Sequence, residues 1–127
     1  MSEESKNNTE SNLKNSNGMI TLEEFKKVEI VVGKILSAEK IPDTDKLLKL
    51  SVSLGEEVPR QIVSGISFYF PDCSVLVSKK CMFVANLEPR VIRGYESHGM
   101  LFAVSTEDDK FSLITANEDI PEGTHAK

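Results

Sequence analysis

No tryptophan occurs in this chain, and six Phe and two Tyr are its only aromatic residues. So few rings argue against a protein that holds a long run of unpaired bases by stacking. No apolar run approaches the roughly 20 residues needed to span a bilayer, so no membrane role is expected. The opening stretch MSEESKNNTESNLKNSNG lacks the apolar segment of a secretory signal, which makes the cytosol the expected compartment. Cysteine is scarce too. Cys73 and Cys81 stand eight residues apart with no histidine nearby, which is not a metal-ligand spacing, and in the cytosol both would be reduced thiols. His98 and His125 have no Ser or Cys nucleophile in a recognised setting. There is no Walker loop, no His-Glu-x-x-His and no Gly-rich dinucleotide fingerprint. Asp108 and Asp109 lie in an evident turn. Nothing points to catalysis, to a cofactor or to a metal. Positive charge is the last shortage: 15 Lys and Arg face 20 Asp and Glu, a net charge of −5. That excludes a nonspecific cationic coat and leaves room for one basic patch.

What is present reads as one domain with a polar tail. Residues 1–18 are Ser, Asn, Glu and Lys with almost nothing apolar, so they are expected to form a disordered arm. The folded domain is expected over 19–127. "TLEEF" has Thr21 and Glu24 at capping-box spacing and predicts one helical turn. "VEIVVGKILSAEK" is β-branched and long, and its central Gly33 predicts a bulge or sharp bend. "LLKLSVSLG" alternates, with Leu48, Leu50, Val52 and Leu54 on one face and Lys49, Ser51 and Ser53 on the other. That is a half-buried strand. "RQIVSGI" and "CMFVANL" follow as strands, separated by an irregular or briefly helical "SFYFPDCSVLVSKK". "MLFAV" is expected to be one strand, and "TEDDK" a hairpin turn into "FSLI". Five or six short strands with no long helix match an all-β OB-fold: a five-stranded Greek-key barrel, short helical segments and a C-terminal β extension. The strand pattern alone also fits an SH3-like barrel or a small sandwich.

Charge is unevenly placed along the chain. From Lys79 to Arg93 four cations stand against the single anion Glu88. From Ser105 to Thr124 six anions stand against the single cation Lys110. The cations centre on "ANLEPRVIRGYESHGM", a Pro- and Gly-marked loop carrying Arg90 and Arg93. Arginine's planar fork fits phosphate oxygens. Lys46, Lys49 and Arg60 extend the patch if their strands present them on the same side. By itself this loop fits phosphate binding and ordinary surface charge equally well.

"ANLEPRVIRGYESHGML", "DKLLKLSVSLG" and "IVSGI" together resemble the tRNA-binding domain at the C-terminus of many bacterial methionyl-tRNA synthetases. That domain also occurs as a free-standing tRNA-binding protein and in eukaryotic synthetase cofactors. The resemblance runs from about Thr21 to Lys127, with its motifs in the family's order. It implies an OB-fold that binds tRNA by shape with little dependence on sequence, non-catalytic by itself. The family's Asn-Leu-x-Pro-Arg element corresponds to Asn86, Leu87, Pro89 and Arg90. Its Ser-x-Gly-Met element corresponds to Ser97, Gly99 and Met100, and its Asp-Lys-Leu element to Asp45, Lys46 and Leu47. The resemblance therefore implies a tRNA contact set of Lys46, Lys49, Asn86, Arg90, Arg93, Ser97 and Met100. In it the cations neutralise phosphates, and Asn86 and Ser97 hydrogen-bond ribose or base edges. Two departures lower the loop's charge: Val91 where the family is usually basic, and Glu88 before Pro89.

The same resemblance implies tRNA rather than DNA as partner. It also implies a homodimer through the C-terminal half, expected around Phe111, Leu113 and Ile114, and association with a methionyl-tRNA synthetase catalytic region. Two other functions remain open. One is a dimeric export chaperone for unfolded polypeptide, which an exposed cluster of Phe68, Tyr95 and Met100 would favour; that branch of the family alters the Ser-x-Gly-Met element, which is intact here. The other is a pure synthetase dimerisation module.

Overall fold

The computed structural model describes residues 18–127. The arm expected over residues 1–18 lies outside them, Gly18 excepted. A single helical turn, α1 (Leu22–Phe25), opens the described chain and carries the expected capping box. Thr21 Oγ1 accepts from the Glu24 N–H, and the Glu24 carboxylate accepts from the Thr21 N–H. Nine strands follow. β1 (Ile30–Lys40), β2 (Leu48–Ser53), β3 (Arg60–Ser64), β4 (Lys80–Val84) and β7 (Met100–Leu101) form one antiparallel sheet in the order β3-β2-β1-β4-β7. β5 (Arg90–Ile92) pairs with β6 (Tyr95–Ser97), and β8 (Ala103–Ser105) with β9 (Phe111–Leu113).

The five-stranded sheet coils into a nearly closed barrel. Its open seam between β3 and the β6–β7 segment is stitched rather than laddered. The His98 N–H donates to the Gln61 carbonyl, Gln61 Nε2 to the Glu96 carbonyl, and the Val63 N–H to Ser97 Oγ. The remaining free edges of β1 and β4 are taken by the C-terminal segment. Val32 donates to the Thr124 carbonyl, Gly123 to that of Val32, and Met82 to that of Ile114. This is the OB-fold, with its C-terminal β extension serving as edge protection.

The alternation in β2 is borne out: Leu48, Leu50 and Val52 are fully buried and Leu54 nearly so. With Ile35, Ile62, Leu76, Cys81 and Phe83 they fill the barrel. Each of the aliphatic and aromatic side chains among them contributes about 1.5–3 kcal/mol of burial free energy. Burial also pushes the Cys81 thiol up to about 11, so it stays protonated and unreactive at neutral pH. The connection between β3 and β4 is two 3₁₀ turns, Ser67–Tyr69 and Cys73–Leu76, as the irregular sequence predicted.

Three expectations are corrected. Gly33 is not a bulge: it sits in regular register opposite Cys81, and the irregularity falls between Ile35 and Ser37. Its role is close approach, since a Cβ there would lie 2.6 Å from Leu54 and 2.7 Å from Phe83. "MLFAV" is not one strand. Leu101 pairs with Phe83 in the barrel, the Phe102 N–H donates to the Met82 carbonyl, and the chain then leaves to pair Ala103 with Leu113. The arginine "loop" is itself a hairpin, β5–β6, turning on Arg93 at φ 54° and Gly94 at φ 84°. Positive φ at both central residues gives the turn twist that matches paired strands.

Candidate functional site

The connection from β1 to β2 is short and internally tied. The Ile41 N–H donates to the Leu47 carbonyl, and Thr44 Oγ1 donates to the Ile41 carbonyl. That leaves Asp43, Asp45 and Lys46 exposed at its tip. The β5–β6 hairpin comes to stand opposite. Its paired residues Arg90 and Ser97 share one face, as do Ile92 and Tyr95. Ser97 is buried against β3, which seats the hairpin on the barrel. Between hairpin and loop lies an open cleft of about 650 Å³ lined by residues 43–47 and 90–93.

Lys46, Arg90 and Arg93 therefore meet at one cleft although they are distant in sequence. None of the three is in an ion pair among the described residues, whereas Lys49, Arg60, Lys80 and Lys110 each are. Lys46, Arg90 and Arg93 share the cleft lining with Asp43 and Asp45, so the concavity keeps a net positive charge that favours an anion and that the two carboxylates limit. All three are exposed, so their ammonium and guanidinium groups are available to a ligand.

The other expected contact residues are placed differently. Lys49, on β2, lies 3.3 Å from Glu39 and 5.2 Å above the Tyr95 ring centroid, outside the cleft lining. Met100 is exposed on β7 beside Val84. Asn86 is bound at both ends of its amide: Oδ1 accepts from the Glu29 N–H at 2.9 Å and Nδ2 donates to the Lys27 carbonyl. It tethers the segment before β1 to the end of β4. Ser97 is 4% exposed; its Oγ accepts from the Val63 N–H at 3.0 Å and donates to the Gly99 carbonyl at 3.1 Å. With both roles filled by backbone, Ser97 has a seam to hold. Ser97→Ala would leave the buried Val63 N–H without an acceptor. The expected cost is about 1–3 kcal/mol of unfolding free energy in a urea titration; an unchanged midpoint would show that water or another group replaces the hydroxyl.

Arg60 and Lys80 do not extend the patch. The Arg60 guanidinium binds both oxygens of Glu56 and the carbonyls of Ala85 and His98. The hydrogen bond from Arg60 holds the Glu56 carboxyl below the usual range, and the same bond raises Arg60. Lys80 donates to the Glu118 and Ile120 carbonyls and pairs with Glu122 at 3.3 Å, pinning the acidic C-terminal segment to β4. The linear excess of cations from Lys79 to Arg93 is thus divided in space. These anchoring roles are hard to read from sequence because several of the partners, the carbonyls of Ala85, His98, Glu118 and Ile120, are remote and leave no trace in residue type.

Phe111 and Leu113 pack against the barrel core, and the Phe111 ring stacks on Tyr69. Phe111, Leu113 and Ile114 are all partly buried, and Phe102 and Val104 nearby in sequence are exposed. Among the described residues no helix is long and apolar enough to cross a membrane.

Residues 30–125 match the sequence family described as "Putative tRNA binding domain". A methionine–tRNA ligase of Caldanaerobacter subterraneus is 46% identical over 105 residues, which cover 83% of this chain and 16% of the ligase. The chain thus spans about 16% of the length of that relative. Among solved structures, a MetRS-related protein from Pyrococcus horikoshii superposes with a TM-score of 0.80 at 42% identity, covering 86% of this chain and 98% of the other. The chaperone CsaA of Bacillus anthracis superposes with a TM-score of 0.76 at 22% identity, covering 87% of this chain and all of the other, a likeness of fold alone.

Proposed function

Because the chain belongs to the tRNA-binding domain family, we propose that it binds the folded shape of tRNA through the cleft of Lys46, Arg90 and Arg93, largely without regard to sequence. The observation that supports this reading most is the convergence of three cations without ion-pair partners on one open concavity of a net-acidic protein. Phosphates of an RNA backbone enter such a cleft and release their counterions. The six acidic residues between Ser105 and Thr124 are absent from the cleft lining and repel phosphate where they stand. A domain of this family is non-catalytic in itself. It acts as an accessory or C-terminal module of a methionyl-tRNA synthetase, raising the local concentration of tRNA for a catalytic region carried in the same or an associated chain.

The folded module spans residues 19–127, with residues 1–18 as an appended polar arm. It works in the cytoplasm as a homodimer, which doubles the number of clefts and lets one RNA engage two. The contact would form around the partly buried Phe111, Leu113 and Ile114 with neighbouring loops, joined by the exposed Phe102 and Val104. The chaperone reading is less well supported, because free cations are no asset to a groove for apolar polypeptide.

Arg90→Ala is expected to weaken tRNA binding by about 1–3 kcal/mol without lowering the melting temperature. The slope of log K against log salt should flatten by about one unit. Glu88→Lys should strengthen binding and steepen the slope. Lys110→Ala, in the acidic hairpin beside Asp108, should be silent. Equal losses at Arg90 and Lys110 in a filter-binding titration would reduce the cleft to diffuse charge.

A further inference from the structure

The eight aromatic side chains divide unevenly between core and surface. Phe83 is fully buried. Tyr69 stacks on Phe111 with centroids 4.4 Å apart and planes 13° from parallel, and Phe70 meets Phe111 edge-on at 5.7 Å. Phe68 continues this column outward, edge-on to Tyr69 at 5.4 Å and 82°. Yet Phe68 is 71% exposed, against 43% for Phe25 and 38% for Phe102. One exposed apolar residue needs no explanation by itself. This one is distinguished by what holds it and what stands beside it. The Ser67 N–H donates to the Lys46 carbonyl at 3.0 Å, while Tyr69 and Phe70 donate to the Ile66 and Ser67 carbonyls and close the 3₁₀ turn. The ring is thus braced on a turn bonded directly to the residue whose side chain lines the cationic cleft.

We propose that Phe68 is a stacking platform for an unpaired nucleobase of the RNA whose phosphates occupy the cleft. The inference rests on the tRNA-binding reading and adds the kind of nucleotide that is bound. Phosphate contacts position an RNA without reading its state of pairing. Paired bases are already stacked on their neighbours, whereas bases in loops, bulges and 3′ ends offer free faces. A ring carried on a hydrogen-bonded turn and held edge-on by Tyr69 loses less freedom on stacking, so more of the contact energy appears as affinity. Charge complementarity selects this occupant: the turn that carries Phe68 is bonded to Lys46, one of the three cations of the cleft, and that charge matches a chain with a phosphate at every unit, which a polypeptide does not supply. One aromatic platform beside one cleft also suits a chain with so few rings.

Phe68→Ala is expected to weaken the binding of folded tRNA by about 5- to 100-fold at every salt concentration. The salt slope should not change, because no phosphate contact is lost. Phe68→Trp should bind at least as well as the wild type, and Phe68→Leu, apolar but not flat, should behave like Phe68→Ala. A fully paired RNA duplex with no overhang should bind wild type and Phe68→Ala alike. Val58→Ala, equally exposed in the turn between β2 and β3, is the silent control, and thermal melting confirms that each variant is folded. Wild-type tRNA affinity in Phe68→Ala, or in Phe68→Leu, would overturn the platform. So would a loss of self-association by light scattering with RNA affinity unchanged, which would assign the ring to a second copy of the chain. Loss at Arg90 with none at Phe68 removes the platform and leaves the tRNA-binding reading intact. Failure of the wild-type chain to bind tRNA removes both.

Discussion

Phe83→Ala is expected to lower the free energy of unfolding by about 3–5 kcal/mol, the usual cost of emptying a packed aromatic site. Phe83 lies in β4, fully buried, paired with Val31 on one side and Leu101 on the other. Its ring fills the space that Gly33 leaves open. Total stability of a domain this size is about 5–15 kcal/mol, so the loss takes a large share of it. The midpoint of urea unfolding should fall steeply with little change in slope. Gly33→Ala attacks the same contact from the other side. Its Cβ must displace Phe83 or Leu54, at an expected cost of about 1–3 kcal/mol. Because the two residues touch, the double variant should cost less than the two single losses added together. A Phe83→Ala loss below about 1 kcal/mol would mean that the barrel collapses around the vacancy and that its packing is far more plastic than described.

Removing all three cleft cations should have the largest effect on binding. Lys46→Ala, Arg90→Ala and Arg93→Ala combined are expected to weaken tRNA binding by on the order of 100-fold or more, with the salt slope falling by about three units. The single losses will not simply add, since neighbouring charges share phosphates. All three side chains are exposed and make no ion pair among the described residues, so thermal stability should stay within about 0.5 kcal/mol of the wild type. A triple variant that binds tRNA normally would move the contact surface elsewhere on the barrel.

The legibility of this fold varied with the range of the forces involved. β2 was readable because a strand with one buried face writes its period into the sequence, and Leu48, Leu50 and Val52 follow it. The α1 cap was readable because Thr21 and Glu24 are three residues apart. Gly33 is ambiguous in sequence because a glycine in a strand marks either a bulge or a close approach. Only Phe83 and Leu54, remote in sequence, decide which. The β5–β6 hairpin was missed because its strands have three residues each and its turn uses an arginine at positive φ, which propensity does not favour. At the site, residue type and family resemblance singled out Lys46, Arg90 and Arg93, and the barrel brings them to one cleft. Family resemblance implies that Ser97 and Asn86 are ligand contacts, whereas their polar atoms are engaged with backbone groups: those of Lys27 and Glu29 for Asn86, and those of remote Val63 and nearby Gly99 for Ser97. A polar side chain looks the same in sequence whether it holds a ligand or a seam.

The most direct measurement is a binding titration of the full chain with unfractionated folded tRNA and with a DNA duplex of similar length, each at two salt concentrations. The cleft and the fold predict that tRNA binds with an affinity that falls as salt rises, and that the duplex competes poorly. Equal affinity for both polymers, or no binding of tRNA at either salt concentration, would contradict a site built for the shape of tRNA.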